Sequence, residues 1–161
     1  KGAENIAGQL TQVTGDAKYT SCGATVASEL RKVDDQVRQT LAVVPEGRRV
    51  LITDHDAFGY FAATYGFTVA GVAVPGGSTD AEASSAQLAK VAAVVKQSKV
   101  PAIFSNTAVN PAVVEAIAKE SGADVKVVPL FVDSVGGPGS GAETYSTMML
   151  SNASAIANAL K

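Results

Sequence analysis

Four short apolar runs rich in β-branched residues, at positions 49–53, 68–74, 101–105 and 125–130, alternate with stretches whose apolar residues recur every three or four positions. Nothing else in the chain limits its fold as strongly. The helical spacing covers about 56–65, 80–98, 110–121 and 142–160. Strands joined through helices of this length run parallel, because a parallel pair needs a long crossover and a helix supplies it. The expected class is α/β, with about four parallel strands flanked by helices.

The opening of the chain reads differently. Ala3, Ile6, Ala7, Leu10 and Val13 form one amphipathic pattern, which Gly15 and Asp16 end. Tyr19, Val26, Leu30, Val33, Val37 and Leu41 extend a second pattern over about 17–43, with Glu29, Arg31, Lys32 and Asp34 on a charged outer face. Gly23 costs this long helix about 1 kcal/mol relative to Ala, which marks a start or a bend there. Pro45-Glu46-Gly47 closes it. The chain is expected to divide into a helical segment, 1–46, and an α/β lobe, 47–161. Within the lobe, Gly66 and Gly122 read as helix-ending glycines. Asn110 reads as an N-cap before Pro111, and Thr79 or Asp80 as the cap of the helix containing Leu88, Val91, Val94 and Val95.

Charge and cysteine content narrow the function. Lys and Arg number 13 against 15 Asp and Glu, a net charge of -2 with no basic stripe, which removes nucleic acid as a partner. With one cysteine, Cys22, neither an internal disulfide nor a thiolate zinc cage is possible, and Cys22 reads as a small buried hydrophobe. Any metal site must use histidine and oxygen donors. No stretch approaches the roughly 20 apolar residues of a spanning helix. The start, Lys1-Gly2-Ala3-Glu4-Asn5, has no apolar export core, so the compartment is not encoded here.

The only histidine, His55, sits in Thr53-Asp54-His55-Asp56-Ala57-Phe58-Gly59-Tyr60-Phe61, after the apolar run 50–52 and at the start of a helical pattern. That is the carboxyl end of a parallel strand, where open α/β sheets place their ligands. A helix amino terminus at this point opposes a second positive charge and favours neutral imidazole, the metal-binding form. Two readings stand: a metal ligand, or part of a solvated cap formed with Asp54 and Asp56. Asp133, just past the last strand, lies on the same side of the sheet, so the two side chains converge; taken alone it reads as a turn residue. The glycines at 136–141 lack the Lys-Ser/Thr ending of a phosphate loop and read as a flexible surface loop.

A family pattern runs through these residues. His55-Asp56-Ala57-Phe58-Gly59-Tyr60-Phe61 is preceded by Ala3-Glu4-Asn5-Ile6-Ala7, Tyr19 and Pro45. It is followed by Ala102-Ile103-Phe104, Asp133-Ser134, Thr144-Tyr145, Met148-Met149 and Asn152. Over essentially its whole length the chain resembles the carboxyl-terminal part of the zinc and manganese solute-binding proteins of bacterial ABC importers. The resemblance implies a two-lobed protein with a long rigid helix between the lobes and the metal in the cleft. Four side chains usually share that metal: His55 and Asp133 from this lobe, and two histidines from the other. On that pattern the chain is a carboxyl-terminal lobe with half the site, its amino-terminal lobe is missing, and 17–43 is the interlobe helix. The implied cargo is Zn²⁺, with Mn²⁺ as the alternative, because imidazole suits Zn²⁺ and oxygen suits Mn²⁺. The implied partner is an ABC permease, and the implied location is extracytoplasmic, in the periplasm or lipid-anchored at the cell surface. This sequence departs from many relatives at Asn106, where they carry glutamate, and at Asp54, where they carry a small polar residue; neither is a direct ligand in that pattern.

Capture of a divalent metal without chemistry is thus the leading function, and an adhesin or interaction module is compatible with the resemblance. A hydrolase using His55 and Asp133 lacks a nucleophile: there is no Gly-x-Ser-x-Gly elbow, and Cys22 lies in the helical opening.

Overall fold

The two central strands are buried along almost their whole length, which is why their first three residues, 50–52 and 102–104, read as unbroken apolar runs rather than as alternating ones. The structure is a computed structural model that describes residues 1–74, 84–108 and 110–161. The chain divides into two compact units, Lys1–Gln39 and Thr40–Lys161.

The first unit contains α1 (Gly2–Thr14) and most of α2 (Lys18–Leu41). Gly15, in the left-handed region at φ 74°, ends α1. Asp16 Oδ1 then accepts from the Lys18 backbone N–H at 2.9 Å and opens α2. Gly23 neither starts nor interrupts α2. A Cβ there would collide with Ala7 Cβ, so the glycine is what lets the two helices touch. Cys22, expected to be buried, is exposed. In α1 only Ala7 is buried, while Ile6, Leu10 and Val13 are exposed.

The second unit is a four-stranded, all-parallel sheet in the order β2-β1-β3-β4, with β1 (Val50–His55), β2 (Thr68–Val74), β3 (Ala102–Asn106) and β4 (Lys126–Leu130). The helices are α3 (Gly59–Tyr65), α4 (Ser85–Ser98), α5 (Ala112–Ser121) and α6 (Tyr145–Leu160). Ile52, Ala73, Ile103, Val91, Val95, Val114 and Ile117 join β1, β2 and β3 to α4 and α5 in one core. The expected α/β class and parallel four-stranded sheet are what the structure has.

Helix ends follow local chemistry. Gly66 at φ 72° and Gly122 at φ 64° close α3 and α5 as expected. Ser84 Oγ accepts from Gln87 N–H at 3.2 Å and caps α4; the other expected caps, Thr79 and Asp80, lie outside the described residues. Asn110 Oδ1 accepts from Ala112 N–H at 3.0 Å, with Pro111 in the cap position itself. The last helix starts at Tyr145 rather than 142, because Thr144 and Thr147 form a reciprocal capping box. Among the described residues, no helix is long and apolar enough to cross a membrane.

On the outer strand β4, Pro129 is exposed. Just beyond it, the buried Asn152 of α6 takes both backbone groups of Phe131: its Oδ1 accepts from Phe131 N–H at 2.9 Å and its Nδ2 donates to Phe131 C=O at 2.7 Å.

Candidate metal centre

Buried polar side chains are the informative exceptions in an apolar core. Among the described residues they are Thr53, Asp54, His55, Ser105, Asn106, Ser121 and Asn152. The first five end β1 and β3, so the carboxyl edge of the two central strands is polar where the rest of the sheet is not.

His55 is the last residue of β1 and is 4% exposed. Its carbonyl accepts from Thr53 Oγ1 at 2.9 Å and from Ala57 N–H at 3.1 Å, which fixes the backbone under the ring. That second bond turns the chain through Asp56 and Ala57. The expected helix at 56–65 therefore begins only at Gly59, and its N-cap, Phe58, makes no side-chain capping bond. Asp54 and Asp56 are not helix caps, and the helix terminus expected to act on the imidazole lies four residues away.

Asp54 acts on it instead. Its Oδ1 lies 2.7 Å from His55 Nδ1 and accepts from the His55 backbone N–H at 2.8 Å, while its Oδ2 accepts from Asn106 N–H at 2.6 Å. Asp54 is itself 7% exposed. The other ring nitrogen, Nε2, is buried and makes no hydrogen bond among the described residues. It faces Asp133 Oδ2 at 3.4 Å, beyond good hydrogen-bond length.

Asp133 is exposed and reaches this position with its backbone in the left-handed region, at φ 65°. The segment after it, expected to be a flexible surface loop, is tied down. Gly136 N–H donates to Ala142 C=O at 2.8 Å, and Glu143 Oε1 accepts from Gly139 N–H at 2.9 Å and Gly141 N–H at 3.2 Å. The same contacts hold the Glu143 carboxyl below the ordinary glutamate range; its own backbone N–H contributes most, followed by that of Gly141. Beside Asp133 a cavity of about 480 Å³ runs between α3 and α6, walled by Phe61, Tyr65, Met148 and Asn152 among others. Among the described residues of its wall Asp133 is the only charged one.

The structure thus brings His55 and Asp133 together, as expected. Among the described residues, no group of three or more His, Cys, Asp and Glu is placed to hold one ion. Asp54, expected as a cap, sits instead inside a strand buried over positions 51–55, and that placement is the signal that separates the two roles.

The family described as ZnuA, zinc-uptake complex component A, periplasmic, matches residues 1–159. Among curated relatives, the chain is 40% identical over 147 residues to the zinc-binding protein TroA of Treponema pallidum (strain Nichols), covering 89% of this chain and 47% of TroA. It is 34% identical over 137 residues to the manganese-binding lipoprotein MntA of Bacillus subtilis (strain 168), covering 83% and 44%. Among solved structures, the periplasmic zinc-binding protein TroA from Treponema pallidum superposes with a TM-score of 0.81 at 32% identity, over 97% of this chain and 58% of that one. The chain spans about half the length of the curated relatives it matches.

Proposed function

The chain belongs to the ZnuA family of periplasmic zinc-uptake components, and from that premise we propose that it supplies half of a capture site for a divalent metal ion, Zn²⁺ before Mn²⁺. The observation that carries this reading is the buried Nε2 of His55, which has no hydrogen bond among the described residues and faces the Asp133 carboxylate at 3.4 Å. Two donors bound to one tetrahedral Zn²⁺ at roughly 2.0–2.1 Å lie about 3.3–3.4 Å apart, so the separation matches the bite of a single ion. Imidazole nitrogen with one carboxylate oxygen is a donor pair suited to zinc, whereas a manganese site prefers oxygen throughout. Relatives carry names of both kinds, zinc-binding TroA and manganese-binding MntA.

A structural zinc takes four ligands and a more open one three plus water; among the described residues this chain offers two. The remaining donors come from the amino-terminal lobe of the whole protein, and closure around the ion supplies the enclosure. The protein then binds and releases its cargo unchanged, outside the cytoplasm, handing it to an ABC permease. Calorimetric titration of this chain tests the proposal. Zn²⁺ is expected to bind loosely through His55 and Asp133, and Mn²⁺ more loosely still. A nanomolar dissociation constant, with every donor from these residues, would show that the half-site reading is wrong.

A further inference from the structure

We propose that Asp54 is the positioning residue of this half-site: its carboxylate locks His55 into the tautomer and orientation that leave Nε2 bare and directed at Asp133. The proposal rests on the metal-capture reading for its purpose, but the tautomer it assigns stands or falls independently.

Burying a carboxylate is costly unless its oxygens are satisfied, and those of Asp54 are satisfied by three N–H groups that meet in one place. Two belong to His55, the ring Nδ1 at 2.7 Å and the backbone N at 2.8 Å; the third is Asn106 N at 2.6 Å on the neighbouring strand. An ionised carboxylate only accepts, so the short contact at Nδ1 requires the proton to be on that nitrogen. The ring then presents Nε2 as a lone pair. Asp133, also only an acceptor, faces it at 3.4 Å. Two acceptors facing each other with no proton between them are mismatched until a cation lies between them. Without Asp54 the ring is free to carry its proton on Nε2 and donate it to Asp133, which closes the site to metal.

The anchor on Asn106 gives Asp54 a second task. Because Oδ2 is bonded to β3, the carboxylate cannot rotate away from the ring, and the imidazole is fixed relative to the sheet rather than to its own residue alone. Carboxylates that hold a ligating histidine in this way commonly matter tenfold to a hundredfold in metal affinity. An asparagine cannot replace Asp54, since a carboxamide has one acceptor and one donor end where two acceptor ends are needed. Turned to satisfy Asn106 N–H with its oxygen, it would offer an amide N–H to Nδ1 and drive the ring proton to Nε2.

The chain has one histidine, so with ¹⁵N-labelled histidine a long-range proton–nitrogen correlation spectrum contains a single pair of ring nitrogens. The spectrum is recorded on the metal-free chain at about pH 8, above the ordinary imidazole range. The proposal expects Nδ1 protonated and Nε2 bare in wild type. In Asp54→Asn the proton moves partly or wholly to Nε2, and a Zn²⁺ titration followed at the same resonances is at least tenfold weaker. A wild-type ring protonated at Nε2 overturns it, as does an Asp54→Asn chain that keeps both tautomer and affinity. The wild-type spectrum decides the tautomer even if the variant does not fold. Absence of Zn²⁺ binding in wild type with the tautomer as expected would count against metal capture and not against the assignment of Asp54.

Discussion

Asp133 holds its carboxylate 3.4 Å from His55 Nε2 although the strands that deliver the two residues are not neighbours: β3 lies between β1 and β4. The approach depends on a backbone at φ 65°, which aspartate tolerates better than most residues and glycine better still. Stability and binding therefore separate at this position. Asp133→Gly should unfold at the same temperature as wild type or higher, while Asp133→Ala should lose about 1 kcal/mol to left-handed strain. Both should weaken Zn²⁺ binding at least tenfold. Thermal melts and calorimetry on the pair check this; equal stability of the two variants would mean that the strained backbone costs nothing.

His55 carries the only imidazole in the chain. His55→Ala should cost at least tenfold in Zn²⁺ affinity, about 1.4 kcal/mol. His55→Glu should narrow the gap between Zn²⁺ and Mn²⁺, because an all-oxygen pair loses the preference of nitrogen for zinc. Competition titrations measure both, and an unchanged zinc preference in the glutamate variant would place selectivity elsewhere.

In the first unit, Gly23→Ala should loosen the contact of α1 with α2 by about 1–3 kcal/mol, the ordinary cost of overpacking, since the added methyl meets Ala7 Cβ. Adding Ala7→Gly should recover most of the loss. Hydrogen exchange of the α1 amides is the readout, and fast exchange in the single variant that the second change does not slow would rule out this contact as the cause.

Glu143 gives a pH dependence with a definite sign. Its folded-state carboxyl titrates below the ordinary value of 4.5, because backbone N–H groups favour the charged form. The contribution to stability is present above that value and is lost as the pH falls through the lower, folded-state one. Wild type should therefore be more stable than Glu143→Gln near neutral pH, with the difference fading on acidification below 4.5. Melting curves of the two proteins from neutral to acid pH test this; a gap that persists in acid would assign the effect to shape rather than charge.

The parts of this fold that were legible in the sequence depend on near neighbours. The run at 68–74 is β2 to the residue, and Gly66 and Gly122 end their helices because only a left-handed residue does so cheaply. His55 and Asp133 were paired by a topological rule, that parallel strands bring their carboxyl ends to one edge. The role of Asp54 was not legible, because its bond to Asn106 spans 52 positions and exists only once β1 lies beside β3. The alternation of Asp with His at 54–56 also imitates a helix cap. The capping box of α6 escaped notice because Thr147 fills the place where glutamate or glutamine is the usual signal.

The carboxamide of Asn152 has the same donor and acceptor as a peptide group, so α6 offers Phe131 what a fifth strand would have offered. Pro129, two residues earlier and within the outer strand β4, has no N–H to give. An outer parallel strand is ordinarily a template on which foreign chain can grow, and aggregation begins at such margins. Here the margin is blunted at two successive outward positions, by a residue that cannot donate and by one whose neighbour has already been imitated. Among the described residues a side chain, not a further strand, follows β4 at this margin, and a crowded solution of this protein should resist fibril growth from its β4 side.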